Sequence, residues 1–102
     1  MPIRHVVILT FNEGTTTDQI DALTTGLREL PGLIPELLDY HVGPNAGIDP
    51  GTADFAIIAN FASAADYAVY RDHAEHQARI RDLVRPIVAE RRAVQFELGP
   101  RP

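Results

Sequence analysis

The chain contains no cysteine. It can form no disulfide and offers neither a thiolate nucleophile nor a sulfur ligand to a metal, so its redox compartment cannot be read from that residue. It also has no lysine, because all nine cationic residues are arginine. That removes side-chain Schiff-base chemistry with a carbonyl substrate or with pyridoxal phosphate. Serine occurs only at Ser63. A serine hydrolase would need its nucleophile there, yet Ser63 ends an apolar run and precedes Ala64-Ala65-Asp66, a Ser-x-x-Asp pattern that reads as a helix N-cap. No Gly-x-Gly-x-x-Gly or P-loop spacing occurs, which leaves nucleotide binding without support. The arginines are scattered from Arg4 to Arg101 within a net charge of −5. No concentrated patch displaces phosphate counterions, and nucleic acid is not an expected partner. The apolar run Val6–Leu9 is too short for a signal peptide or a membrane span. The expectation is a soluble, cytoplasmic protein with no membrane partner, whose chemistry, if any, uses histidine, tyrosine and carboxylates, or a metal.

With 102 residues the chain is read as one domain, 1–102, large enough for a core but small enough to gain from a partner subunit. Ile3–Phe11 has the β-branched, apolar character of a strand, with His5, Val7 and Leu9 on one face and Val6 and Ile8 on the other. Thr16 and Gln19 form a capping box, and Ile20, Leu23, Leu27 and Leu30 recur at helical spacing until Pro31-Gly32. Glu36–Val42 is expected as a second strand, 43–52 as an open loop, and Asp54–Phe61 as a third strand. After the Ser63 cap comes a short helix through Tyr70. A longer one carries the stripe Ile80, Leu83, Val84, Ile87 and Val88, bent or frayed at Pro86. Ala93–Leu98 is the last strand and Gly99–Pro102 a tail.

This order predicts an α+β, ferredoxin-like split βαβ fold with a four-stranded antiparallel sheet and helices on one face. Val6, Ile8, Ala56 and Ile58 then place apolar groups on the face the helices cannot reach. At about 25 cal/mol per Å², leaving them wet costs several kcal/mol. A second, identical sheet is expected there, giving a homodimer.

Asp66–Val84 concentrates the chemistry. It holds Tyr67, Tyr70, His73 and His76 within ten residues. On an unbroken helix Tyr70 and His76 would point about 120° apart. A break near Asp72 and His73, with Asp72 as N-cap and Glu75 three residues on, would aim them into one cavity.

RHVVILTF at Arg4–Phe11, Gly14-Thr15, Ile34-Pro35 followed by Val42-Gly43-x-Asn45, Phe61-x-Ser63 and Tyr-x-x-His-x-x-His at Tyr70–His76 together resemble the stress-responsive dimeric α/β-barrel domain family over essentially the whole chain. The resemblance implies a ferredoxin-like unit forming a dimeric α/β barrel. It extends to olivetolic acid cyclase-type members, which close a linear polyketide by an aldol condensation with a first-strand histidine and a Tyr/His pair six residues apart. His5, Tyr70 and His76 occupy the matching places, and His73 matches the intervening histidine. Ala74 stands where the family often has proline.

The expected site is therefore His76 as base, Tyr70 as oxyanion donor and His5 as an orienting or polarising partner. Val7, Leu9, Leu23, Leu27, Phe55 and Ile57 would wall a pocket between sheet and helices, with His73 beside it or capping the break and the 43–52 loop near its edge. No cofactor is expected. A metal held by His73 and His76 with Asp72 and Glu75 is the competing reading of the same residues. Three function classes remain open: a small His/Tyr acid–base enzyme such as a cyclase or lyase acting on a small, largely apolar carbonyl compound, a module that binds such a ligand without turning it over, and a stress-linked dimer with an incidental cavity.

Overall fold

The computed structural model describes residues 1–99; beyond Gly99 the expected tail lies outside them. Strand β1 (Ile3–Phe11) alternates as its sequence dictates, with His5, Val7 and Leu9 buried and Ile8 exposed between them. A turn with Gly14 at φ +86° leads into helix α1 (Thr17–Arg28); a side chain at that φ would be strained. The capping box closes its first turn. Thr16 Oγ1 accepts the Gln19 N–H at 3.2 Å, and Gln19 Oε1 accepts the Thr16 N–H at 2.9 Å. The helix stops at Arg28, and a 3₁₀ turn at Leu30–Gly32 carries the chain past Pro31.

Strand β2 spans Asp39–Pro44, later than the expected Glu36–Val42. Leu37 is buried in the turn that precedes it and Leu38 is exposed. Gly43 and Pro44 extend the strand at a sheet edge, where proline's missing donor costs no ladder bond. Strand β3 (Phe55–Phe61) is followed by helices α2 (Ala64–Asp72) and α3 (Ala74–Arg79).

The long helix expected after His73 is not continuous. It widens into a π-helical turn at Ile80–Val84, where the Arg85 N–H reaches the Ile80 carbonyl at 2.9 Å, and stops. Pro86 has no N–H to continue the ladder. Val88 already belongs to β4 (Val88–Glu97), which therefore starts five residues before the expected Ala93.

The sheet order is β2-β3-β1-β4, antiparallel throughout. The helices pack on one face, where Leu23, Leu27, Phe55, Ile57 and Phe61 form the core. Arg79 ties α3 to α1, donating from Nε to the Gly26 carbonyl at 2.6 Å and pairing with Glu75 at 2.7 Å. At Gly26 any β-carbon would run into Leu83 Cδ1, so the glycine lets the π turn close on α1.

The expected closure into a barrel is overturned. The sheet is open, and β2 and β4 are its two unbonded edges among the described residues. Four strands are about half of what closes around a filled interior. On the face away from the helices, Val6 lies opposite both Ile58 and Val94, and Arg4 opposite Phe96. Ile8, Val94 and Phe96 there are 37, 55 and 44 % exposed. Among the described residues no helix is long and apolar enough to cross a membrane.

Candidate functional site

The break between α2 and α3 is made by His73. Its backbone is extended (φ −63°, ψ 134°), and its Nδ1 accepts the Glu75 N–H at 3.1 Å. Imidazole Nδ1 stands as far from the backbone as an asparagine oxygen, so it serves as an N-cap. Asp72, the expected cap, instead has its carboxylate paired with Arg71 at 2.9 Å. No proline is needed at Ala74 for the chain to turn.

Ending α2 at Asp72 leaves the Arg71 carbonyl without a helical partner. His76 Nδ1 lies 3.1 Å from it, and Gln77 Nε2 also donates to it. A carbonyl only accepts, so the His76 proton sits on Nδ1 and Nε2 is left bare. The same bond brings the His76 ring to 4.0 Å from the Tyr70 ring, centroid to centroid.

His5 arrives from β1 at 6.3 Å from the Tyr70 ring. Its cross-strand partner is Gln95 of β4, whose Nε2 is 2.7 Å from His5 Nδ1. An amide nitrogen only donates, so His5 Nδ1 accepts and the proton sits on Nε2. The two imidazoles are thus fixed in opposite tautomers. Neither Nε2 has a hydrogen-bond partner among the described residues, yet no fully buried side-chain nitrogen or oxygen there lacks one. Each Nε2 therefore reaches open space.

Both histidines line a hollow of about 30 Å³, together with Val7, Leu9, Ile57, Tyr70, Ile80, Val84 and Arg91. It has room for a water or two, or for one small polar group. Burial, reinforced by the charge of Arg91 and by His76, lowers the His5 pKa to about 4. Burial also lowers that of His76, against the opposing pull of the Arg71 carbonyl. Both rings are neutral at pH 7. Tyr70, buried beside the Tyr40 hydroxyl at 3.3 Å, has its phenol pushed well above the ordinary range, and burial raises Tyr40 to about 12.

The structure brings His5, Tyr70, His76, Val7, Leu9 and Ile57 to this hollow. Leu23, Leu27 and Phe55, expected in its wall, are instead packed in the core, and His73 is engaged as a cap. The 43–52 loop does not border it; Pro44 and Asn45 flank a separate open groove with Glu13 and Asp54. The metal reading finds no support in the geometry. His73 and His76 each spend Nδ1 on the backbone, and no group of three or more His, Asp or Glu among the described residues is arranged to hold an ion. Arg91, Gln95, Ile80, Val84 and Tyr40 were not foreseen. Arg91 would have followed from extending the last strand back through Glu90-Arg91-Arg92, whereas Gln95 already lay within the expected strand, where only its pairing with His5 was missing.

Residues 3–98 match the family model described as the stress responsive A/B barrel domain. The chain belongs to this family. Among solved structures it is similar to a dimeric ferredoxin-like protein of unknown function from Thermobifida fusca YX, at 38 % identity and TM-score 0.89 over 96 % of this chain and 92 % of that one. It is similar in fold to a dimeric ferredoxin-like protein of unknown function from Bacteroides fragilis, at 22 % identity and TM-score 0.83 over 95 and 96 % of the two chains. The hydroxynitrile lyase of Passiflora edulis also shares the fold, at 18 % identity and TM-score 0.82 over 96 and 94 %. Among curated proteins none matches the chain.

Proposed function

We propose that this stress responsive domain protein is a homodimeric small-ligand-binding module whose ligand presents a carbonyl, or a polar head of similar size, to the hollow between His5, Tyr70 and His76. The observation that carries this reading is the pair of oppositely set imidazoles beside a buried phenol. His5 Nε2–H is a donor for a carbonyl oxygen, the Tyr70 hydroxyl is a second when it accepts from Tyr40, and Val7, Leu9, Ile57, Ile80 and Val84 make most of the wall apolar. The homodimer is supported by the apolar outer face of the sheet and by the dimeric relative from Thermobifida fusca. A hollow of about 30 Å³ lies far below the roughly 300 Å³ of a pocket that encloses a whole drug-sized ligand. Only the head of the ligand enters, so folding a long polyketide inside the protomer is not part of this reading. Titration with small ketones, followed at the imidazole resonances, is expected to shift His5 and His76, and Tyr70→Phe to weaken the effect. Unmoved imidazoles would overturn it.

A second reading is favoured by the bare Nε2 of His76. A neutral imidazole base opposite two donors suits removal of a proton from the carbon next to a bound carbonyl, with the resulting enolate oxygen held by Tyr70 and His5. The Passiflora edulis enzyme of the same fold is a lyase, so the architecture accommodates catalysis. In D₂O the catalyst would exchange deuterium into the ketone, and His76→Ala would abolish exchange while leaving ligand binding. Binding without exchange leaves the module alone standing.

A further inference from the structure

Arg91 is the one charged side chain in the wall of the hollow. It lies opposite Leu9 on β4, four register pairs from the His5–Gln95 pair and therefore on the same face of the sheet. Its flanking residues leave it unpaired. Glu90, on the other face of the strand, is held by Arg92 at 2.8 Å, and Arg91 itself makes no hydrogen bond or ion pair among the described residues. Arg85 is likewise without a side-chain partner among the described residues, but it is not in the wall of the hollow, and other arginines are engaged. Arg71 and Arg81 pair with the adjacent aspartates, Arg79 with Glu75, and Arg4 bonds Asn60. No carboxylate lines the hollow, its imidazoles are neutral and its phenol is protonated. The site therefore carries one uncompensated positive charge in a chain whose net charge is −5.

We propose that the natural ligand is a carbonyl compound that also bears a carboxylate, with the carboxylate paired to Arg91 at the mouth and the carbonyl inserted toward Tyr70 and His5. This deepens the ligand-binding reading and rests on it. Guanidinium offers two parallel N–H donors that match a planar carboxylate, and the other donors of the wall, His5 Nε2–H and the Tyr70 hydroxyl, are taken by the carbonyl, which leaves none over for a phosphate dianion at the mouth. The uncovered inner side of β4 around Ala93, which is exposed, leaves room for the ligand body outside the hollow.

The test uses the full chain with 4-oxopentanoate and its neutral methyl ester as probes, at constant ionic strength, read by calorimetry and by the His5 and His76 resonances. The acid is expected to bind at least tenfold more tightly than the ester. Arg91→Gln, on an exposed strand position, should erase that preference with unchanged thermal stability, and Arg91→Lys should keep part of it. Equal binding of acid and ester, an unchanged preference in Arg91→Gln, or displacement of the acid by inorganic phosphate at equal concentration would each overturn the proposal. Equal binding of the two probes leaves the ligand-binding module intact, whereas failure of both to bind removes it as well. Arg91-dependent binding without deuterium exchange keeps the carboxylate site and rejects catalysis alone.

Discussion

Two nitrogens decide what the candidate site can do. Gln95 holds a lone pair of His5 in place, and the Arg71 carbonyl holds a proton on His76. Replacing Gln95 with leucine removes the donor to His5 Nδ1. The expected outcome, seen by long-range ¹H–¹⁵N NMR, is a mixed His5 tautomer with His76 unchanged, and a stability loss of about 1 kcal/mol for the lost bond. The lowered His5 pKa has a sign of its own. Between about 4 in the folded chain and the ordinary imidazole value near 6.5, the unfolded state binds the proton and the folded state does not. Stability from this group is therefore full above pH 6.5 and is lost as pH falls to about 4, up to about 3 kcal/mol in all. Urea midpoints at pH 7.5 and 4.5 should show a larger drop for the natural chain than for His5→Gln, the remainder coming from carboxylates. Equal drops would place His5 in a wetter setting.

At the scale of elements, the junction of α2 and α3 makes the hollow, since it alone allows Tyr70 and His76 to meet. His73→Ala removes the cap on α3 and should cost about 1 kcal/mol in chemical denaturation, while His73→Asn, which keeps an acceptor at the same reach, should recover most of it. The same loss in both variants would show that the cap contributes nothing. This junction was legible in part. Tyrosine and histidine six residues apart make sense only across a break, but His73 as its own cap was obscured by Asp72, a stronger capping residue by type. The strands show a similar division. β1 and β3 follow from clean alternation of apolar side chains. The first half of β4 does not, because Ala89-Glu90-Arg91-Arg92 lies on an edge with little cover on either face, and a segment wet on both sides shows no period of two. Cutting the strand at Ala93 hid Arg91. The apolar stripe continuing to Val88 imitated a helix past Pro86.

For the whole molecule, helices on one face and Val6, Ile8, Ile58, Val94 and Phe96 on the other leave a second apolar surface of the kind that associates. Sedimentation at micromolar concentration is expected to give a dimer. Ile8→Asp, placed on the outer face and outside the hollow, should give a folded monomer with ligand-induced imidazole shifts preserved. A dimer that survives this change would move the interface elsewhere. The split βαβ order was legible because each chain reversal is marked by glycine, proline or a cap. Sheet closure was not, since it depends on strand number and tilt and leaves no mark on any single residue.

The free rim of β4 carries a further consequence. Its first half presents Glu90, Arg91 and Arg92, whose charge repels a foreign strand, but Ala93-Val94-Gln95-Phe96 is uncharged and carries the β-prone Val94 and Phe96. When heat loosens the fold, aggregation should therefore nucleate at this uncharged tetrapeptide, growing by addition of one copy's backbone to the next, and Val94→Lys would act as a gatekeeper against it while weakening the dimer whose face Val94 shares.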